Sequence, residues 1–220
     1  TGVQTCALPI FHGLTTLQMT ALLNPQIDAL TTDQVQAIAT DRLRALNTSQ
    51  IEAMNNSQIT ALLTQQVLAL ETSDVAALNG AQLASLDTTQ FAVLSTDQLL
   101  AIGATQFGDL STEQLQSIAT TKISALTTDQ LQSLNDARVA ALTTAQVQQL
   151  SSSQFNGMRV DQMLALTTEQ VANLTSYQFD SLTSQQLAAM ETRDLASLTS
   201  GQVRALTTDQ LTNLTTDAIV

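Results

Sequence analysis

The chain has 220 residues, 44% of them apolar, 12% charged and 3% aromatic, and its 19 acidic against 7 basic residues give a net charge of -12. Cations so few and so scattered exclude nucleic acid and anionic membrane as partners, because both need clustered Lys and Arg against their phosphates. No apolar run approaches the ~20 residues of a membrane span, so membrane insertion is not expected, and no secretory signal is visible.

Residues 1–10, TGVQTCALPI, carry the only Cys, Cys6, and one of the two prolines, Pro9. They break the pattern that follows, and they read as the in-frame translation of a common short-read sequencing adapter. The natural chain is then expected to begin near Phe11, and the array to be cut at both ends. Without Cys6 it holds no cysteine, which is compatible with an oxidising compartment.

From Leu14 onward the chain repeats every eight residues, and internal repeats decide the fold before anything else does. One slot runs Leu14, Leu22, Leu30, Ile38 and on to Leu214; all 26 positions are Leu, Ile or Met. A second slot runs Met19, Ile27, Val35, Leu43 and on to Ile219, again 26 apolar positions without one insertion or deletion. The candidate core is thus typified by Leu30, Val35, Ile38, Leu43, Leu126, Leu131, Leu166, Val171, Leu206 and Leu211. The slot before the second apolar one is mostly Gln, as at Gln34, Gln50, Gln58, Gln130, Gln170 and Gln210.

A period of eight fits neither continuous element. In one α-helix eight residues turn about 800°, so the apolar side chains would drift by about 80° per repeat and no stripe would form. In one strand the spacings of five and three are both odd, so consecutive apolar residues would fall on opposite faces. The chain must therefore reset once per octad.

The reset is written in the small polar residues. Thr31 to Gln34 fits a capping box, in which the Thr hydroxyl and the Gln amide satisfy each other's orphan backbone groups. Alternatively Thr32 is the cap and Asp33 the first helical residue, a frame that Asn24-Pro25 favours because proline suits the first helical position. Either way DQVQAI makes about one and a half turns, with Val35 and Ile38 on one face. Two buried apolar side chains cannot offset the backbone entropy of eight ordered residues, so octads must stack and share a core. The expected fold is all-α, an elongated solenoid of very short helices, one per octad, over residues 11–220. A β-solenoid with a corner in each octad is the alternative.

Departures from the pattern come next. The Gln slot is replaced by Arg42, Asp74, Lys122, Arg138 and Asp194. The Gln column reads as the third residue of each capping box or as an internal amide ladder to backbone; a polymer- or glycan-binding row of amides is the functional reading. The acids after the cap, such as Asp33, Asp97, Glu113, Asp129, Glu169 and Asp209, read as charges at positive helix ends. No Asp/Gly-rich calcium loop is present. His12 has no second His or Cys to complete a metal site, and no serine lies in a nucleophile elbow, so no catalytic residue, metal or cofactor is expected. Phe91, Phe107, Phe155 and Phe179 fill the second apolar slot and read as core. Around Gly103-Ala104 and Gly157-Met158-Arg159-Val160 the caps are lost, and local bends or softer points are expected.

LTTDQVQAIA, Leu30 to Ala39, resembles the opening of the DNA-reading repeats of bacterial TAL effectors. The likeness ends within one octad, and the acidic balance carries no DNA binding over. ALTTDQLQSL (Ala125 to Leu134) and ALTTEQVANL (Ala165 to Leu174) are similar to octad tracts in very large repetitive bacterial proteins. That resemblance covers Phe11 to Val220. It implies a non-enzymatic spacer, adhesin stalk or structural segment, extracellular or at the cell surface, with flanking domains of a larger chain as partners. Head-to-tail self-association is a further expectation, since solenoid ends can stack. A binding module for glycan, ice or a partner protein, built on one repetitive face, is the alternative.

Overall fold

A computed structural model describes residues 13–213. The adapter-like stretch, Cys6, Pro9 and His12 lie outside the described residues, as do the last octad slots, Leu214 and Ile219. The described residues form 25 helices of four to six residues, from Thr16–Thr20 to Thr208–Asn213, and contain no strand. The fold is all-α with one short helix per octad, as the period requires, and the β-solenoid is set aside.

Each octad resets in the same way. Thr31 is extended, with φ -75° and ψ 160°; Thr32–Gln36 is helical; Ala37 still has helical angles. The Ile38 N–H then closes a tight turn on the Val35 carbonyl at 3.1 Å. In the longer helix Asn56–Ala61 the next residue, Leu62, is already extended at φ -59° and ψ 134°. Among the described residues no φ is positive. The corner therefore needs no left-handed glycine cap, which is why octads run on without one.

The first capping frame is the correct one: Thr31 is the cap and Thr32 the first helical residue. Pro25 does not shift the frame. It is the second residue of Asn24–Asp28, behind Leu23 as cap. Proline fits there because the first four helical N–H groups have no intrahelical partner to lose.

The described chain divides into two compact units, Thr1–Leu110 and Ser111–Val220. Inside each, a helix packs on the one three octads further along. In the first unit Thr48–Glu52 lies on Thr72–Ala77, which lies on Thr96–Ala101. In the second, Asp136–Ala141, Val160–Leu164, Ser184–Ala189 and Thr208–Asn213 follow one another in the same way. Side-chain bonds to the helix four octads back, described below, fix the other neighbour. One turn of the coil therefore takes between three and four octads.

This winding buries both apolar slots. Val35, Ile38, Leu43, Leu126, Leu131, Leu166 and Val171 are buried, and so are the four phenylalanines of the second slot. Leu30 and Leu206 are only half-buried, and Leu211 is 46% exposed. These three correct the expected core. They lie in the first and last described turns, which have a described neighbouring turn on one side only.

The octads without a hydroxyl cap keep their helices. Gly103 and Arg159 supply no side-chain cap, yet Gln106 and Gln162 still accept their N–H groups at 2.9 and 3.1 Å. Gly157 is a tight point. A Cβ there would lie 2.6 Å from the Thr128 Cγ2 and 3.3 Å from the Ser153 carbonyl oxygen. Its own carbonyl accepts from the Gln132 amide at 2.6 Å.

Gly157→Ala is expected to lower stability by about 1–3 kcal/mol through overpacking. The same change in a Thr128→Ser background, where the clashing methyl is gone, is expected to cost much less. Urea denaturation of the four proteins checks this double-mutant cycle, and equal costs in both backgrounds would refute the contact.

Candidate functional site

Among the described residues the polar element that recurs in the interior is the glutamine column. Gln58 shows its construction. Its Oε1 accepts the Asn55 N–H at 2.9 Å, while the Asn55 side-chain oxygen accepts the Gln58 N–H at 3.1 Å. This is the reciprocal capping box. The Gln58 Nε2 turns the other way and donates to the Ile27 carbonyl at 2.8 Å and to the Leu30 carbonyl at 2.8 Å. Those carbonyls lie at the end of Asn24–Asp28, four octads earlier, and the Ile27 carbonyl accepts the Leu30 N–H as well, at 3.1 Å. One amide thus caps the start of its own helix and the end of another.

The arrangement recurs with the same offsets of 28 and 31 residues. In the first unit Gln50 reaches Met19 and Leu22, Gln66 reaches Val35 and Ile38, and Gln98 reaches Val67 and Leu70. In the second unit Gln146 reaches Leu115 and Ile118, Gln170 reaches Val139 and Leu142, and Gln210 reaches Phe179 and Leu182. Gln130 is equally buried and accepts the Thr127 N–H at 3.0 Å. Gln34 caps Thr31 at 2.8 Å but is only half-buried. The two readings of the column, capping box and amide ladder, are both true of the same side chain. No buried side-chain N or O atom among the described residues lacks a partner.

A second ladder runs the opposite way. The residue just before the small Ala/Ser slot donates to the carbonyl of that slot three octads on. Thr60 bonds the Ser85 carbonyl at 2.9 Å, Gln116 bonds Ala141 at 2.8 Å and Asn156 bonds Ser181 at 2.9 Å. Nothing in the sequence pattern announces it. The donor slot holds Thr, Gln, Asn or Arg in some octads and Ala or Leu in others, so it leaves no column to see.

Two replacements of the column share an arrangement. Asp74 and Asp194 are both buried, and each accepts from a Thr hydroxyl 26 residues back: Thr48 at 3.3 Å and Thr168 at 2.7 Å. Asp74 also accepts the Glu71 N–H at 3.3 Å, so it keeps the acceptor half of the box. A carboxylate has no N–H, and the Leu43 and Leu46 carbonyls, at the offsets a glutamine would serve, receive no side-chain donor among the described residues. Burial raises the Asp74 pKa above the ordinary carboxylate value; the Glu71 N–H and the Thr48 hydroxyl oppose that, and the Glu71 charge adds to it.

The surface offers little else. Asp33, Asp97, Glu113, Asp129, Glu169 and Asp209 all stand in first helical turns. The Glu113 carboxyl is held below its usual value by its own backbone N–H and by the Ser111 and Thr112 hydroxyls. Arg159 and Asp161 form a 2.9 Å ion pair, exposed enough to add little. In the first unit an open groove of about 730 Å³ runs past the caps Thr31, Asn55 and Asn79 and is lined also by Thr32, Asn56 and Ser57. Glu52 is its only ionisable side chain, so it can offer hydrogen bonds to neutral polar groups and little more. Among the described residues no three His, Cys, Asp or Glu side chains come together as a metal site.

The repeat has a family counterpart. The family described as the ALTTAQ repeat matches residues 35–72, 67–104, 137–168 and 187–220, more than half of the chain. No curated protein matches it at significance.

Gln58→Ala removes an acceptor and two donors from a buried joint and is expected to cost at least about 2 kcal/mol. Gln34→Ala removes, among the described residues, only the capping half and is expected to cost clearly less. Denaturant midpoints check the pair, and equal losses would refute the double cap.

Asp74→Gln restores the missing donors and is expected to gain about 1–3 kcal/mol at pH 7. In the folded chain Asp74 holds its proton more tightly than in the unfolded chain. Its contribution therefore falls as pH rises from the ordinary carboxylate value through the raised folded value, then levels. Stability measured from pH 3 to 7 is expected to lose that fall in Asp74→Gln; an unchanged difference between the two proteins across the range would refute it.

Proposed function

Because the chain belongs to the ALTTAQ repeat family, we propose that it is a non-enzymatic structural array, a spacer within a larger bacterial surface or secreted protein. The observation that carries this reading is the glutamine joint, repeated through both units. Where the glutamine is buried the bond 28 residues back recurs, with a second carbonyl 31 or, as at Gln82 and Gln90, 30 residues back, so turns can be added without new chemistry. Each further turn adds about one helix layer, roughly 8–10 Å. Polar side chains that a catalyst would keep free are spent here on helix ends. The hydroxyl-rich, acidic and cation-poor surface supports a setting outside the cell, away from phosphate-bearing partners. No helix of the described residues is long and apolar enough to cross a membrane.

The second reading is a binding module. The groove beside Thr31, Asn55 and Asn79 favours it, because neutral amides and hydroxyls suit a neutral polar ligand such as a glycan.

Sequencing the source DNA through both ends of the region tests the spacer reading. A secretion signal, an adhesin head or a surface anchor in the same reading frame is expected. A flanking catalytic or cytosolic domain would overturn it.

A further inference from the structure

At two steps of the chain an asparagine is followed by a glycine, Asn79-Gly80 and Asn156-Gly157. In such a pair the backbone nitrogen of the second residue can attack the amide carbon of the first and close a five-membered ring, because glycine has no Cβ to hinder the approach. The other capping asparagines, Asn47, Asn55 and Asn135, are followed by Thr, Asn and Asp, each of which has one.

The fold treats the two steps oppositely. Asn156 ends the helix Ser152–Asn156; its Nδ2 donates to the Ser181 carbonyl at 2.9 Å, and the Gly157 N–H donates to the Ser153 carbonyl at 3.0 Å. The nitrogen that would leave and the nitrogen that would attack are both held. Asn79 is instead the exposed cap of Gly80–Ser85. Gly80 is the first helical residue, so its N–H has no intrahelical carbonyl to meet. Among the described residues neither that N–H nor the Asn79 Nδ2 has a hydrogen-bond partner. The Asn79 Oδ1 does have one, the Gln82 N–H at 3.0 Å. That bond draws electrons from the amide carbon and stabilises the negative charge that attack places on the oxygen. Ring closure disturbs one cap at Asn79, but a helical turn and an inter-turn bond at Asn156.

We propose that Asn79 is a self-modification site, converting through a succinimide to aspartate and isoaspartate, while Asn156 is protected. The Gly80 nitrogen gives its proton to hydroxide from the solvent and bonds to the Asn79 Cγ. The Cγ–Nδ2 bond breaks, and the nitrogen leaves as ammonia with a proton from water. A second water then opens the ring at either carbonyl. Cleavage of the new N–Cγ bond leaves aspartate in a normal backbone; cleavage of the old peptide bond leaves isoaspartate, with the chain running through the side-chain carbon. No electrons change hands, and water is the only co-reactant.

The products differ in what they do to the array. Aspartate keeps the cap, as Asp87 does in accepting the Gln90 N–H at 2.8 Å. Isoaspartate puts an extra methylene into the backbone between cap and helix. It thereby pulls Gln82 from the Glu52 and Met54 carbonyls, which it reaches at 3.0 and 2.7 Å. Either product places a second carboxylate, beside Glu52, in the groove that Asn79 lines, and so turns a mainly neutral groove anionic. This chemistry is independent of the spacer and binding readings.

The test incubates the full chain in mildly alkaline buffer, folded and, in parallel, unfolded in urea. Mass spectrometry of proteolytic peptides reads amide loss at each asparagine, and chromatography separates aspartyl from isoaspartyl forms. In the folded chain Asn79 is expected to convert about tenfold faster than Asn156, or more, with isoaspartate among the products. In urea the two rates are expected to converge, since both steps are Asn-Gly. Gly80→Ala is expected to slow conversion at Asn79 about tenfold while leaving helix content unchanged by circular dichroism. Its Cβ would meet only the Asp109 side chain, at 3.3 Å from Oδ2. Equal rates at the two sites in the folded chain, an Asn79 that stays intact when folded while the unfolded chain converts, or an unaltered rate in Gly80→Ala would each overturn the proposal.

Discussion

A helix of five residues satisfies almost none of its own backbone, because the first four N–H groups and the last four carbonyls of any helix lack intrahelical partners. Twenty-five such helices among the described residues would leave a heavy load of unpaired groups, and burying them unpaired would cost far more than folding gains. The rest of the structure depends on how that load is met. A side chain with one acceptor and two donors, held at the third helical position, meets it from both ends. Gln does so: its oxygen takes the cap N–H of its own helix and its nitrogen takes two carbonyls of the helix four octads back. Asn is too short to reach, and Glu lacks the donors. The hydroxyl cap is less constrained, since Thr, Ser, Asn and Asp all present an oxygen at the needed distance, as Thr31, Ser95, Asn55 and Asp87 do.

That joint also explains why the register never slips. Offsets of 28 and 31 residues span several octads, so one inserted residue would displace every joint that bridges it. The apolar slots alone would tolerate a local bulge; a ladder of buried amides does not, because each displaced glutamine would strand a donor pair and two carbonyls. The opposite ladder, from Thr60 to Ser85 and from Gln116 to Ala141, ties the turn on the other side at an offset of 25. Between them the two ladders fix the winding at three to four octads per turn.

Much of this was legible in the sequence, and the illegible part has a clear physical cause. Helix rather than strand followed from the capping residues and the i, i+3 apolar pairs; the odd spacings of five and three excluded only a continuous strand. The core slots followed from the unbroken Leu and Val/Ile/Phe columns. Leu30, Leu206 and Leu211 were misjudged because the repeat says which side chains face inward and not which turns are covered. Pro25 misled over the capping frame because proline is tolerated at more than one place in the first turn. The glutamines announced a capping box, yet a box is local and says nothing about the free amide nitrogen. Its partner lies 28 to 31 residues away, at a carbonyl, and a carbonyl is the one group common to every residue. No sequence column can mark it. The number of octads per turn was therefore invisible until those bonds were seen.

Asp74 and Asp194 show that the joint has two separable halves. Each stands 120 residues from the other in a Glu-Thr-x-Asp setting, keeps the buried position and gives up the donors. A Thr hydroxyl from the helix three octads earlier moves in to serve the carboxylate instead, Thr48 in one unit and Thr168 in the other. The direction of the inter-turn bond is thereby reversed, from a side chain that gives to the earlier turn to one that receives from it. The helix still starts, since the acceptor half is what a start requires. The earlier helix loses its end cap, and the apolar slots on either side, Val75 and Leu78, remain buried all the same. Helix initiation and turn stacking are thus carried by the two ends of one amide, and the array holds where only the first is kept because the leucine and valine columns continue beneath it.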